Sequence, residues 1–195
     1  GIEKALFDLI ENPALVHTVM EKGAQTAIAK GKYWLDNGIE VLRLNDSAGN
    51  MSLISPQHWK EFVFPYIKTV CLQLHNYNKK AIIYCHICGN VLPVIKWLVE
   101  TGLDCIAPLD PLGGFTVKQA REQAGNSIPL MGGVNTLTLL NGSTQDVKAE
   151  AMKCIKEAGH GGFILGSGCA VARNTPEENI TALVEASKSY LQEIN

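Results

Sequence analysis

The sequence predicts an α/β fold built on a parallel sheet. Helical stretches alternate with short apolar runs along the whole chain, an arrangement typical of parallel strands that are joined by helices. The apolar runs are nearly continuous, as in IIY, CIA and FIL, which indicates strands covered on both faces. Gly38, Gly102 and Gly159 stand where helices are expected to end before the next run begins.

Five segments combine an apolar run with a polar or glycine-rich loop, and helices are predicted between them. The strand segments are 37–46, 81–90, 101–110, 127–135 and 161–169. Helices are expected over 13–36, from Ser55-Pro56 to about 77, near 90–100, over 116–124 and 143–158, and after Thr175-Pro176. Ser55 and Thr175 are the predicted caps, and Glu178 holds the capping-box position behind Thr175.

Residues capable of chemistry follow the C-terminal ends of these strands, at Asp46, His86 and Cys88, Asp110, 132–135 and 166–169. A doubly wound sheet fits the count of five units, but this is the face on which (β/α)8 barrels build their sites. The sequence therefore predicts the C-terminal part, about five β/α units, of a (β/α)8 TIM barrel. We expect residues 1–195 to form a single domain that lacks the first strands, because the chain begins as if inside a helix.

Composition excludes several classes of partner. The chain has 195 residues, of which 46% are hydrophobic, and its formal net charge is −2. The absence of a basic surplus argues against nucleic acid as the main partner. No apolar run approaches the ~20 residues that a membrane span requires. Six cysteines in a chain of this length do not resemble a secreted disulfide scaffold, so a reducing cytoplasm is the expected location.

The stretch YCHICGN, residues 84–90, contains a candidate half of a metal site. Residues two apart in an extended segment point the same way, so His86 and Cys88 can converge on one ion while Cys85 faces the wall. Catalytic zinc takes imidazole and thiolate ligands, with three protein ligands and one open position. Cys169, in a glycine-rich loop after the last strand, is the candidate third ligand. The alternative is a strand-end histidine bonded to backbone beside a buried thiol.

Two further groups of strand-end residues are candidates for the site. Asp46 ends the first strand, where it could bind metal or substrate, or cap the following turn. Gly132, Gly133 and Asn135 lie in the late loop MGGVNT. A phosphate site is weakly indicated there, because no P-loop lysine or GxGxxG is present. Close approach of the backbone to a bulky ligand explains these glycines equally well.

The same segments resemble a known family over nearly the whole chain. LNDSAGNMSLISPQHWKEF, CHICGNVLPVIKW, MGGVNT and GGFILGSGCAVARNTPEEN are similar to the C-terminal part of the uroporphyrinogen decarboxylase superfamily. Decarboxylases of that family carry a histidine and an apolar residue where this chain has Ser167 and Cys169. His86, Cys88 and Cys169 match instead the zinc-binding pattern of its cobalamin-dependent branch, which is similar to methylcobamide:coenzyme M methyltransferases.

The resemblance implies a specific activity. It predicts a zinc-dependent methyltransferase that moves a methyl group from a methylcobamide to a small thiol, with zinc activating the thiolate. A separate corrinoid carrier protein is the implied partner, and Gly132, Gly133 and Asn135 are the expected corrinoid-facing residues. Asp46 is the candidate catalytic residue, and the fourth zinc ligand stays open. The alternatives are a metal-free uroporphyrinogen decarboxylase or related enzyme, and a non-catalytic corrinoid-binding module.

Overall fold

Helices and strands alternate in the computed structural model, which describes residues 1–160 and 162–193. The strands are β1 (Val41–Asn45), β2 (Ile82–His86), β3 (Cys105–Leu109), β4 (Leu130–Val134) and β5 (Phe163–Ser167). The helices are α1 (Ile2–Glu11), α2 (Pro13–Asp36), α3 (Pro56–Phe62), α4 (Phe64–Tyr77), α5 (Ile95–Glu100), α6 (Val117–Ala124), α7 (Thr136–Asn141), α8 (Thr144–Ala158) and α9 (Glu177–Glu193). Leu92–Val94 and Pro111–Gly113 form short 3₁₀ helices.

The five strands form one sheet in the order β1-β2-β3-β4-β5. β1 and β2 are parallel, with Asn45 opposite His86, and β4 and β5 are parallel, with Val134 opposite Ser167. Each predicted strand segment contains one of these strands, so the α/β class is confirmed. Closure into an eight-stranded barrel and a single domain over 1–195 stay predictions.

The chain divides into two compact units. The first unit comprises Gly1–Ile87 and Pro93–Ile106. Its core is built on Trp59, Leu74 and Ile83, whose side chains are almost fully buried. Trp59 stacks on Trp97, with ring centroids 6.4 Å apart.

The second unit comprises Cys88–Leu92 and the described residues from Ala107 onward. Its core includes Leu130, Val134, Leu139 and Val147, all fully buried. Helix α8 packs along α9 and against β4 and β5. The buried Asn179 amide ties α9 to the end of α7 by donating to the carbonyls of Leu139 and Gly142.

The predicted helix from Ser55 to about residue 77 is two helices. Ser55 caps the first as expected, since its hydroxyl accepts the His58 N–H. The chain breaks at Val63, whose φ of −116° departs from helical values, and α4 begins at Phe64. Pro65 occupies the first turn of α4, where its missing N–H costs nothing, and in a continuous helix the same ring would break the hydrogen-bond ladder.

The predicted capping box at Thr175 is wrong. Helix α9 begins at Glu177, and the Thr175 hydroxyl is buried without a hydrogen-bond partner. The N–H groups of Asn179 and Ile180 instead reach the Pro176 carbonyl. Capping boxes form at Thr116 and Ser143, at the starts of α6 and α8. In the described part of the chain, none of the helices is long and apolar enough to cross a membrane.

Candidate metal centre

Two thiols lie side by side in the second unit. Cys88 follows β2 in a short loop, and Cys169 follows β5 by two residues. Both side chains are half-buried, and their sulfur atoms lie within 4.8 Å of each other. Burial raises the pKa of the Cys169 thiol, and the neighbouring Cys88 thiol and Asp110 carboxylate raise it further. A bound cation would offset this, because it stabilises thiolates.

His86 is the third member of this group of candidate metal ligands. It is the last residue of β2 and precedes Cys88 by two positions, so the chain itself keeps the two close. One imidazole and two thiols form a donor set that suits zinc, with a fourth position left for water or substrate. The grouping agrees with the set expected from the sequence, and metal binding by it stays a prediction.

The other cysteines belong to the core. Cys85 and Cys88 have CxxC spacing, but Cys85 is only 3% exposed. Burial, followed by the charge of Asp46, raises the pKa of the Cys85 thiol far above its usual range. Cys85 therefore lies in the wall, as strand alternation predicts, and it is a poor ligand.

Hydrogen bonds hold the loop that carries Cys169. The Ser167 hydroxyl donates to the Cys169 carbonyl at 2.7 Å, and the Gly168 N–H donates to the Val134 carbonyl at 2.7 Å. The sequence marks Ser167 only because it stands where the family's decarboxylases have a histidine. Its position two residues before a candidate ligand, at a strand end, was the available signal for this supporting contact.

Asp46 lies in the first unit, at the end of β1, beside an apolar cavity of about 230 Å³. Its carboxyl oxygen Oδ2 is buried without a hydrogen-bond partner, and burial raises the pKa of this group. The Gly49 N–H donates to the Asp46 backbone carbonyl and closes a turn after β1. A Cβ at Gly49 would overlap the Asp46 carboxylate, so a larger residue there would displace this side chain. The catalytic role of Asp46 stays a prediction.

Gly132, Gly133 and Asn135 each have a structural reason for their identity. Gly132 and Gly133 are buried in β4 with φ of +117° and +102°. A Cβ at Gly132 would lie 2.7 Å from the Leu109 nitrogen, and one at Gly133 would lie 3.1 Å from the Cys154 sulfur. The Asn135 side chain caps α7 by accepting the Leu137 N–H. Their expected role towards a corrinoid is not tested by these contacts and stays a prediction.

Proteins of known activity match most of this chain. A "methylated-thiol–coenzyme M methyltransferase" of Methanosarcina mazei is 27% identical, over 96% of this chain and 48% of its own length. A uroporphyrinogen decarboxylase of Trichodesmium erythraeum is 28% identical, over 90% of this chain and 48% of its own length. A methylcobamide:CoM methyltransferase of Methanosarcina barkeri is 28% identical, over 93% of this chain and 51% of its own length. The chain thus spans about half the length of these relatives.

A solved structure shares the fold. A methyltransferase from Methanosarcina mazei superimposes with a TM-score of 0.85 at 24% identity, covering 96% of this chain and 53% of its own. The family model of uroporphyrinogen decarboxylase (URO-D) matches residues 1–190. Relatives of both kinds, methyltransferases and decarboxylases, are enzymes of this superfamily. The chain belongs to the uroporphyrinogen decarboxylase (URO-D) family.

Proposed function

We propose that this protein acts as a zinc-dependent methyltransferase, which moves a methyl group from a methylated corrinoid to a small thiol. The observation that carries the proposal is the group His86, Cys88 and Cys169. Relatives named as methylcobamide:CoM methyltransferases support the corrinoid and the thiol as substrates. A corrinoid carrier protein is the proposed partner, and the cytoplasm, where thiols stay reduced, is the proposed location.

The donor set suits the proposed chemistry. Cys88 and Cys169 would bind zinc as thiolates and His86 through a ring nitrogen, which leaves one position for a substrate thiol. When bound, zinc supplies a cation that stabilises the thiolate form of that substrate. Two protein thiolates would keep such a centre electron-rich, and the half-buried position of both cysteines leaves the site open to a small molecule.

Other residues have proposed roles in orienting the reactants. Asp46 has a carboxyl oxygen without a partner beside an apolar cavity, a combination suited to hydrogen bonding with a polar group of a substrate. Gly132, Gly133 and Asn135 are the proposed corrinoid-facing residues, with Asn135 at the carboxyl end of β4. Carbon transfer itself is the chemistry of the corrinoid, and the protein supplies position and electrostatics.

A uroporphyrinogen decarboxylase is the second candidate, because a decarboxylase of that name is 28% identical to this chain. It predicts turnover of a porphyrinogen without metal. The residues at the end of β5 favour the methyltransferase, since a soft metal ligand, Cys169, stands beside Cys88. A non-catalytic corrinoid-binding module predicts corrinoid binding and neither reaction.

Metal analysis of the purified protein tests the proposal. We expect about one zinc per chain, in line with one three-ligand site. The variants Cys88→Ala and Cys169→Ala should lose the zinc. Cys154→Ala is the matched control, because this free cysteine is buried in α8 and should leave the zinc content unchanged. Folded protein that was prepared with excess zinc and still retains none would contradict the proposal.

Activity assays separate the three candidates. Methylcobalamin and a small thiol, incubated with the zinc-loaded protein, should yield the thioether, and Cys169→Ala should abolish this product. Consumption of a porphyrinogen by metal-free protein, without thiol methylation, supports the decarboxylase instead. Corrinoid binding without either product supports the binding module.

A further inference from the structure

We infer that Asp110 is a positioning residue of the metal centre, which holds the loops that carry Cys88 and Cys169 in their mutual geometry. The inference rests on the proposed function insofar as it assigns a metal to those two cysteines. Every contact that carries it lies within the second unit. Asp110 directly follows β3 and caps the short 3₁₀ helix Pro111–Gly113. Residues 110–113 are called the Asp110 turn below.

The Asp110 carboxylate is bound to the backbone on both sides. Its side chain is only 6% exposed. Oδ1 accepts the Leu112 N–H at 3.0 Å, which fixes the carboxylate to its own turn. Oδ2 accepts the Gly89 N–H at 2.9 Å, and Gly89 directly follows Cys88. Hydrogen bonds to a buried carboxylate are strong, and these two fix the position of the group. The Cys88 loop therefore cannot shift without breaking the hydrogen bond from Gly89.

A second contact joins the Asp110 turn to the same loop. A Cβ at Gly113 would lie 2.5 Å from the carbonyl carbon and oxygen of Gly89 and 2.7 Å from the Asn90 nitrogen. The two backbones therefore touch directly, and this approach requires glycine at position 113. Gly89 itself has a φ of +86°, a conformation that glycine adopts readily. The Cys88 loop is thus held by one hydrogen bond and one backbone contact.

The Cys169 loop rests on the same turn from another side. A Cβ at Gly168 would lie 2.5 Å from Pro111 Cδ and 3.1 Å from Asp110 Cα. Gly168 directly precedes Cys169, and its N–H is already committed to the Val134 carbonyl. Both cysteine loops therefore take their position from residues 110–113. The nearness of the two sulfur atoms follows from this common support.

Asp110 therefore acts through the two cysteines. Groups that orient metal ligands from outside typically change metal affinity by about 10- to 100-fold when removed. The substitution Asp110→Asn keeps the shape but leaves one acceptor oxygen for two donors, so either the Gly89 N–H or the Leu112 N–H loses its acceptor. Either loss loosens the link between the Asp110 turn and the loop that carries Cys88, and the paired thiols should lose their geometry.

The test compares four variants of the full chain. Asp110→Asn leaves only one oxygen to accept the N–H groups of Gly89 and Leu112, and Gly113→Ala disturbs the contact with the same loop without changing charge. Asp146→Asn is the matched control for a carboxylate that accepts a backbone N–H, at the start of α8. Gly23→Ala is the control for added methyl groups, since its Cβ would meet nothing within 4 Å. Zinc affinity is measured by chelator competition, and ligand geometry by the thiolate-to-metal absorption band of the Co(II)-substituted protein.

We expect Asp110→Asn and Gly113→Ala to weaken zinc binding about 10- to 100-fold and to alter the Co(II) band. The two controls should match the parent protein. Folded Asp110→Asn protein with the parent affinity and the parent band overturns the inference. If Asp110→Asn does not fold, Gly113→Ala decides, and an unchanged affinity and band in that variant overturns the inference too.

A metal-free measurement separates this inference from the proposed function. Phenylarsine oxide bridges two neighbouring thiols and needs no metal. The metal-free parent protein should capture it through Cys88 and Cys169, and Asp110→Asn should capture it at least about 10-fold more slowly, the lower end of the effect expected on zinc. A parent that captures the arsenical but binds no zinc refutes the proposed function alone. Equal capture rates in the parent and in Asp110→Asn refute the role of Asp110.

Discussion

The cysteine side chains fall into two groups according to their burial. Cys71, Cys85, Cys105 and Cys154 are at most 6% exposed, whereas Cys88 and Cys169 are half-buried. Burial raises the pKa of the Cys71 and Cys154 thiols to about 12 and that of Cys105 to about 11, and nearby carboxylates contribute. A thiol with so high a pKa stays protonated at neutral pH and is neither a nucleophile nor a ready ligand.

Alkylation of the native protein should therefore modify Cys88 and Cys169 first. Iodoacetamide at neutral pH is expected to label these two within the time that leaves the other four unlabelled, because the reagent reaches half-buried thiols and not the buried ones, which also stay protonated. Peptide mass spectrometry measures the order of labelling, and labelling in denaturant provides the total of six. Early labelling of Cys85 or Cys154 would contradict the division of the cysteines into accessible and buried thiols. Added zinc should protect only Cys88 and Cys169.

One buried cation joins several elements of the second unit. Arg121, in α6, is 8% exposed and donates to four backbone carbonyls. The acceptors are Ala158, Gly125, Ile128 and Gly162, which lie at the ends of α8 and α6 and before β4 and β5. A single guanidinium thus satisfies carbonyl groups that helix ends and strand starts otherwise leave without partners.

The substitution Arg121→Met should destabilise the protein strongly. It leaves several buried acceptors unsatisfied, and each costs about 1–3 kcal/mol, so we expect a loss of about 3 kcal/mol or more. Arg121→Lys should recover only part of this loss, because an ammonium group does not reproduce the planar donor fork. Urea unfolding measures the free energy of unfolding. A lysine variant as stable as the parent would contradict this prediction, because it would show that a positive charge at position 121 stabilises the fold without the planar guanidinium.

The start of α8 provides a smaller, pH-dependent contribution. The Ser143 hydroxyl accepts the Asp146 N–H, and the Asp146 carboxylate accepts the Ser143 N–H and hydroxyl. These bonds lower the pKa of Asp146 below its usual value in the folded state. The contribution of Asp146 is therefore present above its unfolded pKa, and it is lost as the pH falls through the lower folded value.

Replacement of Ser143 by alanine should cost about 1 kcal/mol at neutral pH, the usual value for a lost N-cap. Ser189→Ala is the matched control, because the Ser189 hydroxyl only returns to the Glu185 carbonyl within α9, and its loss should change stability by less than about 0.5 kcal/mol. Thermal unfolding over a pH series, from neutral pH to well below the usual pKa of an aspartate, measures both effects. A cost for Ser143→Ala that does not shrink at low pH would contradict the part assigned to Asp146.

The whole chain is one part of a larger family architecture. Its five parallel strands carry the candidate ligands at their carboxyl ends, and the relatives that it matches are about twice as long. The proposed activity therefore concerns this half of the family fold, in which His86, Cys88 and Cys169 are all present. In the proposal, the residues at the end of β5, Ser167 to Cys169, favour the methyltransferase over the decarboxylase.

Local features were predictable because they depend on neighbouring residues. The helix over 13–36, the cap at Ser55 and all five strands were predicted from hydrophobic periodicity and cap chemistry. Gly38 and Gly102 have φ of +82° and +86°, as helix-ending glycines require. The short helix α7 was missed, because six residues after a strand carry little periodic signal.

Features that depend on distant partners were not predictable in the same way. The break at Val63 and the unused hydroxyl of Thr175 depend on how each chain segment packs, which cap rules do not describe. The supporting contacts of Asp110 join Gly89, Leu112 and Gly168, which come from separate loops. Ordinary residue types carry these contacts, so no motif marks them.

The sequence alone established the residue types and their direction: strand alternation puts His86 and Cys88 on one side and Cys85 in the wall. It also established the family, through motifs that extend over nearly the whole chain. The nearness of Cys88 to Cys169 depended on folding, because parallel strands bring the ends of distant segments to one edge. The hydrogen bond from Gly89 to Asp110 also depended on folding, because loops can bond to one another only after the strands have placed them side by side.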